Sequence, residues 1–344
     1  MRVGMGIGGA NRADKNYIQY LAQIGAPNAI LALPDKEILP SADKAPWSLE
    51  ELSSLKKFYN ENGVNIEGFE NIHPIYFAKI LLDMPGKEEQ MEYIKRSISN
   101  MGKAGIKIFG YNFSLAGVTA RYTGPFARGG ADTVRFSLDK APIDGHIPLG
   151  TVFKRVFDPN APEGNLPPVS LEEMIERRDW FLSQILPVAE EAGVKMAAHP
   201  EDPPIPVMQS TARILIRPEN FDHLFTKFDS PSNCIEFCQG TFAEIPNLDV
   251  YDTIKHFAKQ DKIAYVHFRN VVGTLPEYTE VFIDEGDIDM VKSLQIYKEC
   301  GYNGMLMPDH SPDVSIGSPR EVGMAYAVGY IRGIMKSLDI EIED

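Results

Sequence analysis

Cysteine is scarce in this chain of 344 residues: Cys234, Cys238 and Cys300 are an odd, sparse set that excludes a disulfide framework. Long apolar runs are missing too, with no stretch near the roughly 18 residues of a membrane-spanning helix. The opening MRVGMGIGGANRADKNY lacks the apolar core and small-residue cleavage site of a secretory signal, so a cytoplasmic protein is expected. Positive charge is short, with 34 Lys and Arg against 48 Asp and Glu and a formal net charge of −14. That balance argues against a nucleic-acid or membrane partner. It leaves room for an anionic small molecule, which needs only a few local cations. A phosphate-binding glycine turn is also absent, because GIGGAN at Gly6–Asn11 does not carry the full dinucleotide spacing.

What is present is an ordinary globular composition, 44% hydrophobic and 24% charged, arranged in an alternation of short apolar runs and longer amphipathic ones. Eight runs read as buried strands: RVGMGIG from Arg2, NAILALP from Asn28, NIEGFE from Asn65, KIFGYNF from Lys107, VKMAAHP from Val194, NCIEFCQG from Asn233, IAYVHFR from Ile263 and GMLMPDH from Gly304. Helical patterns lie between them at Ser48–Asn62, Lys87–Ala104, Ser170–Ala192, Asp249–Lys259, Asp287–Cys300 and Arg320–Leu338. Ser48 with Glu51 forms a capping-box pattern, repeated less cleanly by Ser170 with Glu173. The reading is α/β, a single (β/α)8 barrel domain over residues 1–344. Two segments exceed ordinary loops: Ser114–Val169, a Gly- and Pro-rich insertion expected to act as a lid, and Glu201–Ser232, with a helical run near Asn220–Lys227.

Metal-capable side chains gather where such a barrel carries its chemistry. His199, Cys238, His267 and Asp309 fall at or near the ends of the fifth to eighth strand runs. Alternation puts Ala197 with His199, Glu236 with Cys238 and His267 with Arg269 on shared strand faces. If those faces point inward, two imidazoles, a thiolate and a carboxylate converge into a site for a divalent transition metal. A lone strand histidine is more often simply hydrogen-bonded, and a lone cysteine is more often a small core residue. It is the coincidence of all four at successive strand ends that carries the metal reading. His310 beside Asp309 suits general acid–base chemistry. Arg269 suits either a carboxylate contact or an ion pair with a strand-end acid, and Tyr111 with Asn112 would line the same pocket.

At these residues the sequence resembles the mannonate dehydratase family of metal-dependent sugar-acid dehydratases. The matching stretches are KAGIKIFGYNF (Lys103–Phe113), LPVAEEAGVKMAAHPEDPP (Leu186–Pro204), VHFRNV (Val266–Val271), GDIDM (Gly286–Met290) and MPDH (Met307–His310). The resemblance implies a xylose-isomerase-like TIM barrel and a homo-oligomer. It also implies a divalent metal, most often Mn2+ with Zn2+, Fe2+ or Co2+ as alternatives, held by His199, Cys238, His267 and Asp309. It further implies acid–base catalysis by His310 and conversion of D-mannonate to 2-keto-3-deoxy-D-gluconate and water. Three stretches depart from the family pattern: the opening MRVGMGIGG, the loop Phe282–Asp284 where the family carries a His, and SIGSPREVG, which has no Tyr between His310 and Arg320. They imply a paralogue with an altered substrate pocket acting on mannonate or a related aldonate. A metal-dependent sugar isomerase or epimerase on the same barrel is the rival, and a non-catalytic structural zinc site is disfavoured by its spread over four strand ends.

Overall fold

A computed structural model describes residues 1–343. Eight parallel strands close into a barrel: β1 (Arg2–Ile7), β2 (Asn28–Ala32), β3 (Asn65–Glu70), β4 (Ile108–Tyr111), β5 (Lys195–Ala198), β6 (Asn233–Cys238), β7 (Ile263–His267) and β8 (Met305–Met307). Each strand pairs with its sequence neighbours, and β8 returns to β1 through Arg2 opposite Met305 and Val3 opposite Leu306. Every one of the eight expected runs is a barrel strand. β6 and β7 are buried along their whole length, because strands covered on both faces need apolar residues without alternation. Ile30, Ile108, Ala197, Cys234, Tyr265, Met305 and Met307 form a small cluster of their own within the sheet, apart from the larger core shared with the helices.

The helices are α1 (Lys15–Gln23), α2 (Leu49–Glu61), α3 (Pro74–Leu81), α4 (Lys87–Ala104), α5 (Leu171–Ala192), α6 (Pro218–Lys227), α7 (Gln239–Ala243), α8 (Val250–Lys259), α9 (Met290–Glu299) and α10 (Pro319–Ser337). The two caps exchange the strengths expected of them. Ser170 and Glu173 form the complete capping box, with Glu173 N–H on Ser170 Oγ at 3.2 Å and Ser170 N–H on Glu173 Oε2 at 2.7 Å. Ser48 caps only one way, because the Glu51 carboxylate is drawn to the backbone N–H of Ser41 at 2.8 Å. The helix after GDIDM starts at Met290 with Asp289 as its cap, while Asp287 accepts the N–H of Gly273 at 2.7 Å. α3 escaped the periodicity because six of its eight residues are buried, leaving no polar stripe.

The insertion Ser114–Val169 contains a hairpin, Arg121–Ala127 with Ala131–Ser137. It does not stand alone. A second hairpin, Val271–Thr274 with Glu277–Glu280, follows β7 and extends it into a four-stranded antiparallel sheet through Glu277 opposite Ser137. Loops after β4 and β7 therefore build one structure on the side of the strand carboxyl ends. Among the described residues no helix is long and apolar enough to cross a membrane.

Ser170→Ala removes one half of the complete capping box and should destabilise α5 by about 1 kcal/mol. A fall in the urea midpoint with an unchanged slope is the expected result, and an unchanged midpoint would mean that packing alone holds the start of α5.

Candidate metal centre and active site

Strand register brings the expected donors together. Cys238 and His267 close β6 and β7 directly opposite each other, with Met307 of β8 beside His267. His199 follows β5 immediately, its N–H bonded to the Tyr111 carbonyl at 3.0 Å. Donor atoms of His199, Cys238 and His267 all lie within 4.8 Å of one another, and all three residues are buried. Asp309 stands at the edge of this group, its Oδ2 3.4 Å from His267 Nδ1. Its backbone is left-handed at φ 58°, an unusual conformation for a residue with a side chain and one that recurs at functional sites.

Charge within the cluster is balanced in a telling way. Burial alone would lower the His199 imidazole, but Glu236 and Cys238 outweigh it and push it up to about 9. His267 is likewise raised against burial, chiefly by Asp309 and Glu236. Burial works to raise Cys238 and Asp309, yet Arg269 and His199 hold the thiol well below its ordinary range, and His267 and His310 do the same for the carboxyl. The surroundings thus favour the charged form of both imidazoles and of the thiol and carboxyl opposite them. A divalent ion would supply positive charge at the same place. The donor set of imidazoles, thiolate and carboxylate fits a first-row transition metal.

His310 lies just outside, with Nδ1 2.9 Å from Glu280 Oε2 and Nε2 3.5 Å from Asp309 Oδ1. Burial lowers and Asp309 and Glu280 raise its imidazole, and the carboxylates win. It opens onto a cavity of about 300 Å³ whose walls include Arg121, Thr133, Glu280 and Arg320, within the size range of small-molecule sites.

Two expected pocket residues are placed elsewhere. Arg269 is buried and surrounded by carboxylates of the protein: Asp202 at 2.8 Å, Glu244 at 3.0 Å and Asp309 at 3.2 Å. Its ion-pair reading is the one seen here, with Asp309 among the carboxylates it holds. Tyr111 points away from the barrel interior and packs edge-on against Phe181 of α5, 5.4 Å between centroids, because Gly110 takes the inward position on β4. Glu280, which holds His310, and Glu236, which lies 3.0 Å from His267 Nε2, are the residues sequence reasoning did not include in the site. Alternation with Cys238 already marked Glu236. Nothing in the sequence marked Glu280, since its place depends on how two distant hairpins pair.

The sequence profile of the D-mannonate dehydratase family matches residues 11–343, nearly the whole chain. The chain belongs to the mannonate dehydratase family. Its relatives include the mannonate dehydratase of Geobacillus thermodenitrificans, 28% identical over 86% of this chain and 85% of the relative. That of Streptococcus equi subsp. zooepidemicus is 31% identical over 77% of this chain and 74% of the relative. The crystal structure of mannonate dehydratase from Streptococcus suis serotype 2 superposes with a TM-score of 0.81 at 26% identity, covering 100% of this chain and 97% of that one. D-psicose 3-epimerase from Clostridium cellulolyticum shares the barrel alone, with a TM-score of 0.59 at 14% identity over 97% of this chain and 99% of that one. The mannonate dehydratase family is one of metal-dependent hydro-lyases.

His199 is protonated below about pH 9 without metal and must lose that proton to become a ligand, so divalent-metal affinity should rise with pH up to about 9. Titration calorimetry in buffers of different ionisation enthalpy should show protons released as Mn2+ binds. His199→Ala and Asp309→Ala should each lose most of the metal found in the wild type. Full retention in both, or binding that weakens as pH rises, would put the site elsewhere.

Proposed function

We propose that this chain is a sugar-acid dehydratase that removes water from mannonate or a related aldonate, giving a 2-keto-3-deoxy acid. The reading rests on one juxtaposition: the His199–Cys238–His267 cluster with Asp309 at its edge, next to a carboxylate-held histidine on a cavity of about 300 Å³. His199, Cys238, His267 and Asp309 would hold the ion, which we take to be Mn2+ on the family resemblance. When bound, the metal supplies Lewis-acid stabilisation of negative charge on substrate oxygens.

The protein's own groups account for the rest. Dehydration takes the proton from the carbon next to the carboxylate and expels the hydroxyl of the following carbon as water, leaving an enol that becomes the keto acid. His310 is the proton-transfer group. Glu280 fixes its Nδ1 at 2.9 Å, which leaves Nε2, 3.5 Å from Asp309 Oδ1 at the edge of the cluster, to exchange protons. With Arg269 consumed by protein carboxylates, the substrate carboxylate falls to Arg320 at the cavity wall. Arg320 is exposed and, among the described residues, has no ion-pair partner. The hairpin from the insertion, through Arg121 and Thr133, closes the other side against water. Cytoplasmic placement and a homo-oligomeric state belong to the same proposal.

Incubating the protein with a panel of aldonates, with and without Mn2+, tests it directly. A 2-keto-3-deoxy acid formed only with metal supports dehydration, whereas an epimer or ketose from a sugar would replace the assignment. With a turned-over acid in hand, His310→Asn should retain metal and lose about 10²–10⁴-fold in kcat. Near-normal turnover in that variant would move the proton-transfer role to another residue. Arg320→Ala should raise KM for the acid while leaving kcat within a few-fold, since it removes binding common to ground and transition states. An unchanged KM would show that the carboxylate lies elsewhere.

A further inference from the structure

We infer that Glu236 is a positioning residue for the metal centre, setting the tautomer and aim of the His267 ring from the layer of the barrel beneath it. The inference deepens the metal-site reading proposed above and rests on it. Glu236 is fully buried, and neither of its carboxylate oxygens has a well-formed hydrogen bond. A buried carboxylate without a partner is costly, and such groups need a stated reason to persist. Its surroundings supply one. Oε1 lies 3.0 Å from His267 Nε2 and 3.9 Å from His199 Nε2, so it reaches toward both imidazoles of the cluster.

A ligating histidine offers one ring nitrogen to the metal and gives the N–H of the other to an acceptor, which fixes both tautomer and ring orientation. For His199 that acceptor is visible: Nδ1 lies 2.5 Å from the Pro200 carbonyl, which leaves Nε2 as the free donor. His267 has no such carbonyl. Its Nδ1 faces Asp309 at 3.4 Å, on the side of the ligand set. Its Nε2 faces Glu236, with Glu70 farther off at 3.6 Å. Glu70 Oε2 is the more distant of the two, on a carboxylate whose Oε1 accepts from Asn71 Nδ2 at 3.0 Å, whereas Glu236 is the nearer acceptor and is fully buried. Glu236 therefore does for His267 what the Pro200 carbonyl does for His199. The barrel makes room for it at a specific position. A Cβ at residue 110 would lie 2.7 Å from Glu236 Oε2 and 2.5 Å from the Tyr265 hydroxyl, so Gly110 is required where the carboxylate sits.

The test compares Glu236→Gln with Glu236→Leu, reading Mn2+ affinity by chelator competition and the ligand geometry by the visible spectrum of the Co2+-substituted protein. Gln keeps an acceptor oxygen for His267 Nε2–H, so it should bind Mn2+ within a few-fold of wild type with an unchanged Co2+ spectrum. Leu offers no acceptor and should lose about 10–100-fold in affinity. Leucine in place of an unpartnered carboxylate removes a desolvation cost, so it should fold. Glu236→Met provides a second variant without an acceptor if it does not. A folded Leu or Met variant with wild-type affinity would overturn the proposal while leaving the metal site intact. Equal losses in Gln and Leu with an altered Co2+ spectrum would overturn it in favour of Glu236 as a direct ligand. A wild-type protein that binds no divalent metal would sink the metal-site reading itself, and this proposal with it.

Discussion

A buried guanidinium organises the rim of this barrel. Arg269 leaves β7 just beyond His267 and is only 2% exposed, a position that an unpaired charge could not occupy. Space for it exists because residue 240 is glycine, where a Cβ would come within 2.5 Å of the guanidinium. Asp202, Glu244 and Asp309 converge on it from the loops after β5, β6 and β8. Glu244 is pushed well above the carboxylate range by burial and by repulsion from Asp202, more than Arg269 can offset. Asp202 is held at about 2 against burial by Arg121 and Arg269, and Asp309 is held well below its ordinary range by His267 and His310, with Arg269 adding to it. The Arg269 guanidinium, 3.2 Å from Asp309 Oδ2, and His267 Nδ1, 3.4 Å from the same oxygen, fix the aim of that carboxylate.

A second guanidinium couples this network to the antiparallel sheet. Arg121 of the inserted hairpin pairs with both Glu280 and Asp202, and the Tyr278 hydroxyl donates to the other oxygen of Asp202 at 2.8 Å. Glu280 in turn holds His310. The barrel rim, both hairpins and His310 are therefore parts of one charge-paired body. Breaking a buried pair by removing one partner typically costs about 3–5 kcal/mol, so the inner edge of the sheet is better described as a fixed wall than as a moving lid. Toward the hairpin tip the pairing moves to the surface, where Arg128 meets Asp284 at 2.8 Å with about half of its side chain exposed.

The sequence made the barrel legible because parallel strands buried on both faces read as continuous apolar runs, and all eight stand where those runs predicted. The four donors were legible for the same reason: alternation and strand-end position together determine where His199, Cys238 and His267 point. What could not be read depends on contacts between distant segments. Arg269 carries the same side chain whether it binds a ligand or the acidic groups of the protein, and only the fold shows Asp202 and Glu244 around it. Tyr111 was misplaced by one step of alternation, since Gly110 and not Tyr111 faces inward. Glu280 became part of the site through the pairing of Tyr278 with Phe136 and Thr279 with Arg135, a register that no local pattern encodes.

The same division explains where the chain departs from its family. His199, Cys238 and His267 sit at strand ends, where a changed side chain disturbs the packed barrel. The departures sit on loops that the barrel does not constrain. Phe282, in the loop where the family carries a histidine, lies 5.0 Å under the Arg128 guanidinium and 6.1 Å from the Tyr326 ring. This loop is thus spent on anchoring the hairpin tip. The segment after His310 is pinned to the same hairpin by Asp313 N–H on the Asp132 carbonyl at 2.8 Å. It reaches α10 through Pro319 and Arg320, with no tyrosine over the cavity. At this wall stands a cation, Arg320. On the proposed reading, such a wall can select a different arrangement of hydroxyl groups on the substrate without altering the His199–Cys238–His267 cluster or the His310–Glu280 pair.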